Sequence, residues 1–323
     1  MTLLIDPHLF DNASIADQTR RFNQDMVNRL QDLPDMWSIP VAQVRQNRAE
    51  GKGPFPLEPV EETARNISID TPNGELGLRL FKPASGRSLG SYLHIHGGGW
   101  VLGSASAHDF RLQQIADNCA LDCISVEYRL APENPYPAGP DDCEQAALWL
   151  LDSPEGLNTD YLAIGGESAG AHLSALTLLR LRDRFGSCPF HAANLTAGVF
   201  DLGQTPSARN WGTERLILAT RDMQMFAANY LQGDHDHRDP DVSPLYANLD
   251  GLPPALFSVG TKDLLLDDTL QMATLWHARN GNAELDVTPG GCHVFQGFPE
   301  LEIAIASNKR IDDFLIRIRE QHS

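Results

Sequence analysis

Short apolar runs of strand length alternate with segments of helical periodicity along most of this chain, from about Glu75 onward. The apolar runs are ELGLRLF, SYLHIH, DCISVEY, YLAIGG, LTAGVF, ALFSVG and AELDVT, and the helical segments are AHDFRLQQIADNCA, DDCEQAALWLL, AGAHLSALTLLRLRDRFG and DDTLQMATLWHARNG. This alternation predicts an α/β fold in which helices flank a mostly parallel central sheet. Ligands of such sheets bind beyond the carboxyl ends of the strands, so we expect the functional residues where strands end.

Two regions do not follow this alternation. Residues 1 to about 50 contain an amphipathic helical segment, ASIADQTRRFNQDMVNRLQDL, and the stretch GKGPFPLEP after it is typical of a linker. Residues 203 to 238, approximately, contain the helical pattern GTERLILATRDMQMFAANYL. We predict an N-terminal cap segment over residues 1–50 and a main domain over residues 51–323, with a second cap insertion at about 203–238. The alternative is that both regions are ordinary peripheral helices.

The charge and the cysteine pattern disfavour several classes of function. The 323-residue chain has a formal net charge of -18 at pH 7, and this field would repel both nucleic acids and anionic membrane surfaces. No apolar segment has the length of a membrane span or the layout of a signal peptide, so we expect no membrane insertion and a cytoplasmic location. The five cysteines include no CxxC pair, which argues against a disulfide framework.

One serine lies in the sequence Gly166-Glu167-Ser168-Ala169-Gly170, between a predicted strand and a predicted helix. A G-x-S-x-G pattern in that position predicts a tight strand-to-helix turn that strains the serine backbone. Positions 166 and 170 then need very small residues, because larger side chains would collide across the turn. The Ser168 hydroxyl would project above the sheet, beside the positive end of the helix dipole. Ser168 is therefore the predicted nucleophile.

A serine hydroxyl is a weak nucleophile at neutral pH, so it needs a base within reach and an acid that orients the base. The expected chain order is serine, acid, histidine. Asp263 lies just beyond the predicted strand Ala255 to Gly260 and is the predicted acid. Asp267 is the alternative acid, although Asp267 and Asp268 are more simply explained as N-caps of the helix that follows.

The predicted base is His293, which follows a predicted strand and the turn Pro289-Gly290-Gly291. The other two histidines beyond the acid are His277, inside a predicted helix, and His322, next to the terminus. Cys292 beside the base is a conceivable thiol nucleophile, but a thiol normally has its base distant in sequence, so a packing role is favoured.

Three successive glycines end another predicted strand in the run His94-Ile-His96-Gly97-Gly98-Gly99-Trp100. Such a sequence is costly unless backbone N–H groups must approach another group closely. The run resembles the HGGG loop that forms the oxyanion hole of lipases and esterases, and this resemblance implies that the group is an oxyanion. The alternative is a metal site, because His94 and His96 are two apart on a strand and Asp109 or His108 could add a ligand. No third-ligand motif follows, so we predict no metal.

Six motifs occur in order along the chain, and they are HGGGW at 96–100, YRLAPE at 128–133, GESAG at 166–170, SPLYA at 243–247, DLLLDD at 263–268 and GCHVF at 291–295. Together they resemble the hormone-sensitive-lipase-like carboxylesterases, bacterial family IV, from about Glu75 to the C-terminus. The resemblance implies an α/β-hydrolase fold with a helical cap and hydrolysis of carboxylic esters without a metal or organic cofactor. It implies the following roles: nucleophile Ser168, acid Asp263, base His293, and oxyanion-hole donors Gly98, Gly99 and Ala169.

The chain departs from the usual family pattern in two motifs. The nucleophile motif commonly reads GDSAGG, whereas this chain has Glu167 and Ala171, which change the packing around the turn but remove no reacting group. The acid segment often carries Pro after the Asp and Glu at its end, where this chain has Leu264 and Asp268. The second departure weakens the choice of Asp263.

The sequence thus predicts a serine carboxylesterase that acts through an acyl-enzyme on small-molecule esters with short-to-medium acyl chains. A non-enzymatic small-molecule receptor on the same fold is the alternative, and amide or lactone hydrolysis would use the same residues. The sequence leaves open whether the chain forms a homo-oligomer. The apolar residues predicted either to line the substrate pocket or to belong to the core are Trp100, Phe200, Trp211, Met223 and Phe226.

Overall fold

The computed structural model describes residue 3, residues 5–55 and residues 60–322 of the chain. The predicted linker GKGPFPLEP is described only in part. Its residues 51–55 form turns and bends without helix or strand, and its residues 56–59 lie outside the described residues.

One sheet organises the described part of the chain. Its strands are β1 (Arg65–Thr71), β2 (Gly74–Phe81), β3 (Ser91–Ile95), β4 (Asp122–Glu127), β5 (Leu162–Glu167), β6 (Ala192–Thr196), β7 (Ala255–Lys262) and β8 (Ala283–Cys292). Their spatial order is β1-β2-β4-β3-β5-β6-β7-β8. Strand β2 runs antiparallel to both of its neighbours, and strands β3 to β8 are parallel. The prediction of a mostly parallel sheet is confirmed.

Helices flank this sheet, as predicted. They are α1 (Asp17–Gln31), α2 (Val41–Ala49), α3 (Asp109–Cys119), α4 (Ala138–Leu151), α5 (Ala169–Phe185), α6 (Pro206–Asn210), α7 (Thr220–Leu231), α8 (Leu266–Asn280) and α9 (Glu302–His322). Within residues 3, 5–55 and 60–322, we find no helix with the length and apolar character that crossing a bilayer requires.

Side chains of the central strands alternate between two apolar layers. Tyr92 and Ala163, which pair in register on β3 and β5, pack with α3 and α9. Leu93 and Ile164, one residue further along each strand, pack with α4, α5 and α8. Successive side chains of a strand point to opposite faces, and here both faces are covered, which is why the strands appear in the sequence as nearly continuous apolar runs.

Two strands differ from the sequence prediction near the site. The predicted strand LTAGVF is wrong over its last residues, because β6 ends at Thr196 and Ala197 has a left-handed φ of 45°. Strand β8 continues through the predicted Pro289-Gly290-Gly291 turn as far as Cys292. It does so with a register shift opposite residues 260–262, where the N–H of Gly290 donates to the Thr261 hydroxyl at 2.8 Å.

Three further elements were not predicted or were misplaced. Strand β1 escaped prediction because it is mostly polar and exposed, and the terminal helix α9 was not predicted. The helix predicted from about residue 212 begins only at Thr220, because Leu216 and Leu218 form an isolated bridge around Ile217, whose φ is 72°.

The two regions predicted as caps contact each other. The indole N–H of Trp37, between α1 and α2, donates to Asp222 of α7 at 2.8 Å, and the Trp37 ring lies edge-on to Phe226 at 4.9 Å. Arg45 of α2 donates to the carbonyl oxygen of Val101 at 2.8 Å, just after the glycine run. Both regions therefore lie near the carboxyl end of β3. The division of the chain into cap and main domain at residues 50, 203 and 238 stays a prediction.

Candidate active site

Ser168 occupies a strained turn between β5 and α5. Its φ is 57° and its ψ is -120°, a conformation that costs on the order of 1–3 kcal/mol and needs support from its surroundings. A Cβ atom at Gly166 would lie 2.0 Å from the carbonyl oxygen of Ile95, and one at Gly170 would lie 1.9 Å from the same oxygen. The predicted need for very small residues at both positions is confirmed. The worst collision would be with the end of the neighbouring strand β3.

The structure brings together Ser168, His293 and Asp263. The Ser168 Oγ atom lies 3.0 Å from Nε2 of His293, and Nδ1 of His293 lies 3.1 and 3.0 Å from the two Asp263 oxygens. Each of the three residues is at most 7% exposed. A carboxylate only accepts hydrogen bonds, so Nδ1 carries the proton and Nε2 is left to accept one from the serine. The three residues follow β5, β8 and β7, whose carboxyl ends lie at one edge of the sheet.

The two other acidic residues of the acid segment have different partners. Asp267 accepts the backbone N–H of Ser207 at 2.8 Å. Asp268 is fully buried, accepts the hydroxyl of Thr205 and two backbone N–H groups, and has its pKa raised to about 7 by burial. The predicted N-cap role is wrong, because the N-cap of α8 is Leu265 and both carboxylates lie in the first turn. They anchor the chain around α6 instead.

The glycine run forms a loop that leaves no room for a Cβ atom at two positions. Gly98 and Gly99 have φ values of 113° and 61°. A Cβ atom at Gly98 would lie 2.2 Å from the carbonyl oxygen of Leu102, and one at Gly99 would lie 2.2 Å from the Phe226 ring. Among the described residues, the backbone N–H groups of Gly98, Gly99 and Ala169 have no hydrogen-bond acceptor. Their predicted role as oxyanion-hole donors stays a prediction.

Glu167, which replaces the usual Asp, fixes the start of this loop. Its carboxylate accepts the backbone N–H of Gly97 at 2.6 Å and contacts Nε2 of His94 at 3.1 Å and of His108 at 3.0 Å. Burial acts to raise the pKa of Glu167, but the charges and hydrogen bonds of the two histidines outweigh burial and hold the pKa well below its usual range. The sequence showed that Glu167 differs from the usual Asp, but it gave no indication that the Glu167 side chain holds Gly97.

Three residues of the metal alternative, His94, His96 and Asp109, have partners within the chain. His96 does not share a face with His94, because β3 ends at Ile95; the His96 ring stacks on Tyr128 at 4.2 Å. Asp109 is buried against Arg79. In the part of the chain that the structure describes, no group of three or more His, Cys, Asp or Glu residues is placed to hold a metal ion.

Cys292 is a packing residue. Its side chain is buried in an apolar cluster, and burial together with the charge of Asp263 raises the pKa of the thiol to about 12. The thiolate, which is the nucleophilic form, is therefore suppressed at neutral pH.

A narrow pocket lies beside Trp100. Its lining is mainly apolar and is formed by Trp100, Val199, Asp201, Leu202, Gln204, Ala208, Met223, Ala227 and Leu265. Two of the predicted pocket residues, Trp100 and Met223, belong to this lining. Phe226 lies on the other side of the loop, against Gly99.

The remaining two predicted pocket residues lie elsewhere. Phe200 is fully buried in the core, where its ring lies edge-on to Phe257 at 6.0 Å. Trp211 is half-buried, and its indole N–H donates to the carbonyl oxygen of Glu214 at 2.9 Å. Neither is part of the lining described above, and the contribution of all five residues to the substrate pocket stays a prediction.

Comparison with known proteins places these features in a family context. The family model described as alpha/beta hydrolase fold matches residues 92–297. The chain is 33% identical over 244 residues to the carboxylic ester hydrolase LipN of Mycobacterium tuberculosis, a match that covers 72% of this chain and 65% of that protein, just under two thirds.

Two solved structures are similar over nearly the whole chain. The hyperthermophilic esterase of the archaeon Pyrobaculum calidifontis has a TM-score of 0.81 and 29% identity, with 94% of this chain and 98% of that chain covered. A hormone-sensitive lipase from a metagenome library has a TM-score of 0.81 and 27% identity, with 93% and 98% covered.

Proposed function

This chain belongs to the alpha/beta hydrolase family, in its hormone-sensitive-lipase-like branch of carboxylesterases, and we propose that it hydrolyses carboxylic esters through an acyl-enzyme on Ser168. The observation that carries the proposal is the continuous hydrogen-bonded line from Ser168 through His293 to Asp263. Further support comes from the backbone N–H groups of Gly98, Gly99 and Ala169, which have no acceptor within the described residues.

In the first half of the reaction, Nε2 of His293 accepts the proton of the Ser168 hydroxyl as its oxygen attacks the ester carbonyl carbon. Asp263 holds the Nδ1 proton and stabilises the imidazolium that forms. The N–H groups of Gly98, Gly99 and Ala169 donate to the oxyanion of the tetrahedral intermediate, and a donor of this kind contributes roughly 3 kcal/mol to transition-state stabilisation. His293 then returns its proton to the departing alcohol, which leaves an ester between the acyl group and Ser168.

In the second half, water takes the position of the alcohol. His293 accepts a proton from this water as it attacks the acyl carbonyl, and the same N–H groups stabilise the second tetrahedral intermediate. Its collapse returns the proton to the Ser168 oxygen and releases the carboxylic acid. In both halves, His293 is the residue that accepts the proton from the attacking oxygen and returns it to the departing one.

We extend the proposal to esters with short-to-medium acyl chains. The support is the similarity to an acetyl esterase of Salmonella typhi, which is 27% identical over 237 residues. Small-molecule esters are the proposed partners. A cytoplasmic location and the lack of a nucleic-acid partner stay predictions, and the oligomeric state stays open.

Replacement of Ser168 by Ala tests the function. We expect S168A to lose hydrolysis of p-nitrophenyl butyrate by at least about 10⁴-fold with an unchanged circular dichroism spectrum, because the attacking oxygen is gone. Ser174 provides the matched control, since it is a buried serine on the same helix whose hydroxyl donates to the Gly170 carbonyl at 2.8 Å. S174A should keep wild-type turnover.

A panel of p-nitrophenyl esters from acetate to palmitate, measured on the wild type, tests the acyl-chain range.

Retained turnover in S168A would refute the assignment of the nucleophile. Tight binding of an activated ester by the wild type without a burst of p-nitrophenolate would favour the non-enzymatic receptor.

A further inference from the structure

Trp100 has an unusual backbone for a bulky residue. Its φ is 62°, and with Gly98 and Gly99 it forms three successive residues of positive φ. Glycine adopts this region freely, but a residue with a Cβ pays roughly 1–2 kcal/mol for it. Such a conformation persists only where the surroundings hold it. We call residues 97–100 the oxyanion loop. Its backbone conformation therefore depends on the contacts that hold Trp100 in place.

Two contacts fix the Trp100 ring. Its face stacks on Tyr230 of α7, with centroids 4.5 Å apart and planes 16° apart. Its indole N–H donates to Nδ1 of His172 at 3.0 Å. Stacking tolerates sliding of one ring over the other, whereas the hydrogen bond is directional and fixes the ring within its plane. The hydrogen bond to His172 therefore fixes the Trp100 side chain, while the N–H of Ala131, which donates to the Trp100 carbonyl oxygen at 3.0 Å, holds the backbone.

His172 is held in the one protonation state that can accept this bond. An indole N–H only donates, so Nδ1 of His172 must be unprotonated. The other nitrogen, Nε2, lies 2.9 Å from the carbonyl oxygen of Val242, which only accepts, so Nε2 carries the proton. Burial lowers the pKa of His172 to about 4, so the ring is neutral at neutral pH.

The position of His172 links the oxyanion loop to the nucleophile. His172 lies one helical turn after Ser168 on α5, and its backbone N–H donates to the Ser168 carbonyl at 3.2 Å. One rigid turn of helix therefore carries both Ser168 and the side chain that anchors Trp100. Since an oxyanion donor must sit at 2.7–3.1 Å from the developing charge, a small displacement of the loop relative to Ser168 weakens catalysis.

We propose that His172 is a positioning residue for ester hydrolysis, which holds the oxyanion loop in register with Ser168 through the indole N–H of Trp100. The inference rests on the function proposed above. It assigns no contact between His172 and the substrate. It predicts that loss of the His172–Trp100 bond lowers kcat and weakens binding of transition-state analogues, with little effect on KM.

Three variants and a control test this role. W100F keeps an aromatic ring against Tyr230 but removes the donor, H172L removes the acceptor, and H172Q restores both an acceptor and a donor. The control is W276F, because Trp276 is also fully buried and donates one indole hydrogen bond, to the Pro253 carbonyl at 2.9 Å. All turnover numbers are normalised to active sites titrated with a fluorophosphonate, so that poor folding does not count as lost catalysis.

We expect W100F and H172L each to lower kcat by about tenfold and to weaken a trifluoromethyl ketone inhibitor by the same factor, since misplacement of catalytic groups by about 1 Å can cost about 100-fold. The double variant should lose no more than the worse single variant, because both remove one shared bond. H172Q should recover most of kcat, and W276F should keep it while losing stability.

The outcomes separate this inference from the proposed function. Wild-type kcat in both W100F and H172L would overturn the positioning role. So would a loss of kcat in the double variant equal to the product of the two single losses. Either result would leave the proposed esterase function unaffected. If the wild type itself fails to hydrolyse the panel of esters, the function fails and the inference fails with it.

Discussion

Replacing Asp263 by Asn tests its proposed role as the acid that orients His293, because the substitution keeps the size of the side chain and changes no other residue of the site. The Oδ1 atom of Asp263 also accepts the backbone N–H of Leu265 at 2.9 Å. The amide oxygen of Asn must keep that position, because a backbone N–H cannot face an NH₂ group. The NH₂ group then occupies the place of Oδ2, which is 3.0 Å from Nδ1 of His293. This NH₂ group competes with the amide oxygen at the Oδ1 position, 3.1 Å from Nδ1, and favours the tautomer that carries the proton on Nε2, which cannot accept the proton of Ser168.

The expected loss follows from this wrong tautomer. A comparable change in serine proteases costs about 10⁴ in kcat, which corresponds to about 5.5 kcal/mol of transition-state stabilisation. The assay is steady-state release of p-nitrophenolate from p-nitrophenyl butyrate at pH 7.5. We expect KM to stay within about twofold, because Asp263 is buried behind the imidazole.

The same substitution at Asp267 is the matched control and also decides between the two acids considered from the sequence. Asp267 faces Ser207 of α6, so D267N should lower the melting temperature slightly and keep kcat within about threefold. Retention of more than a tenth of wild-type kcat by D263N, or an equal loss of kcat in D267N, would contradict the proposed role of Asp263.

Three further outcomes follow from the same structure. E167Q should lower the free energy of unfolding by about 2 kcal/mol at pH 7, because it removes a buried charge that faces two histidines. The folded-state pKa of Glu167 is depressed, so the difference in unfolding free energy between wild type and variant, measured by urea titration, should disappear as the pH falls from above 4.5 through that lower pKa. G170A should cost at least about 3 kcal/mol in urea unfolding, because its Cβ would lie 1.9 Å from the Ile95 carbonyl oxygen, whereas G186A at the open end of the same helix should cost about 1 kcal/mol. Iodoacetamide should leave the native enzyme active, since burial raises the pKa of Cys292 to about 12; rapid inactivation traced to Cys292 by mass spectrometry would contradict its packing role.

The sequence by itself determined the features that depend on one short segment at a time. The apolar runs predicted the parallel sheet because both of its faces are covered. The turn around Ser168 was predictable because its conformation excludes side chains at positions 166 and 170. The chain order of Ser168, Asp263 and His293 gave a set of residues that the structure brings within hydrogen-bonding distance; their catalytic roles await the variants described above.

Only the tertiary structure decided what depends on contacts between distant segments. Asp263 rather than Asp267 contacts His293 because of where β7 ends relative to β8. Phe200 lies in the core, where its backbone N–H donates to Asp268 of α8 at 2.8 Å. The bond between Trp100 and His172 joins residues 72 positions apart. Local propensity carries no information about such a pair, since its distance is set by strand order, register and helix packing, and these are properties of the whole folded chain.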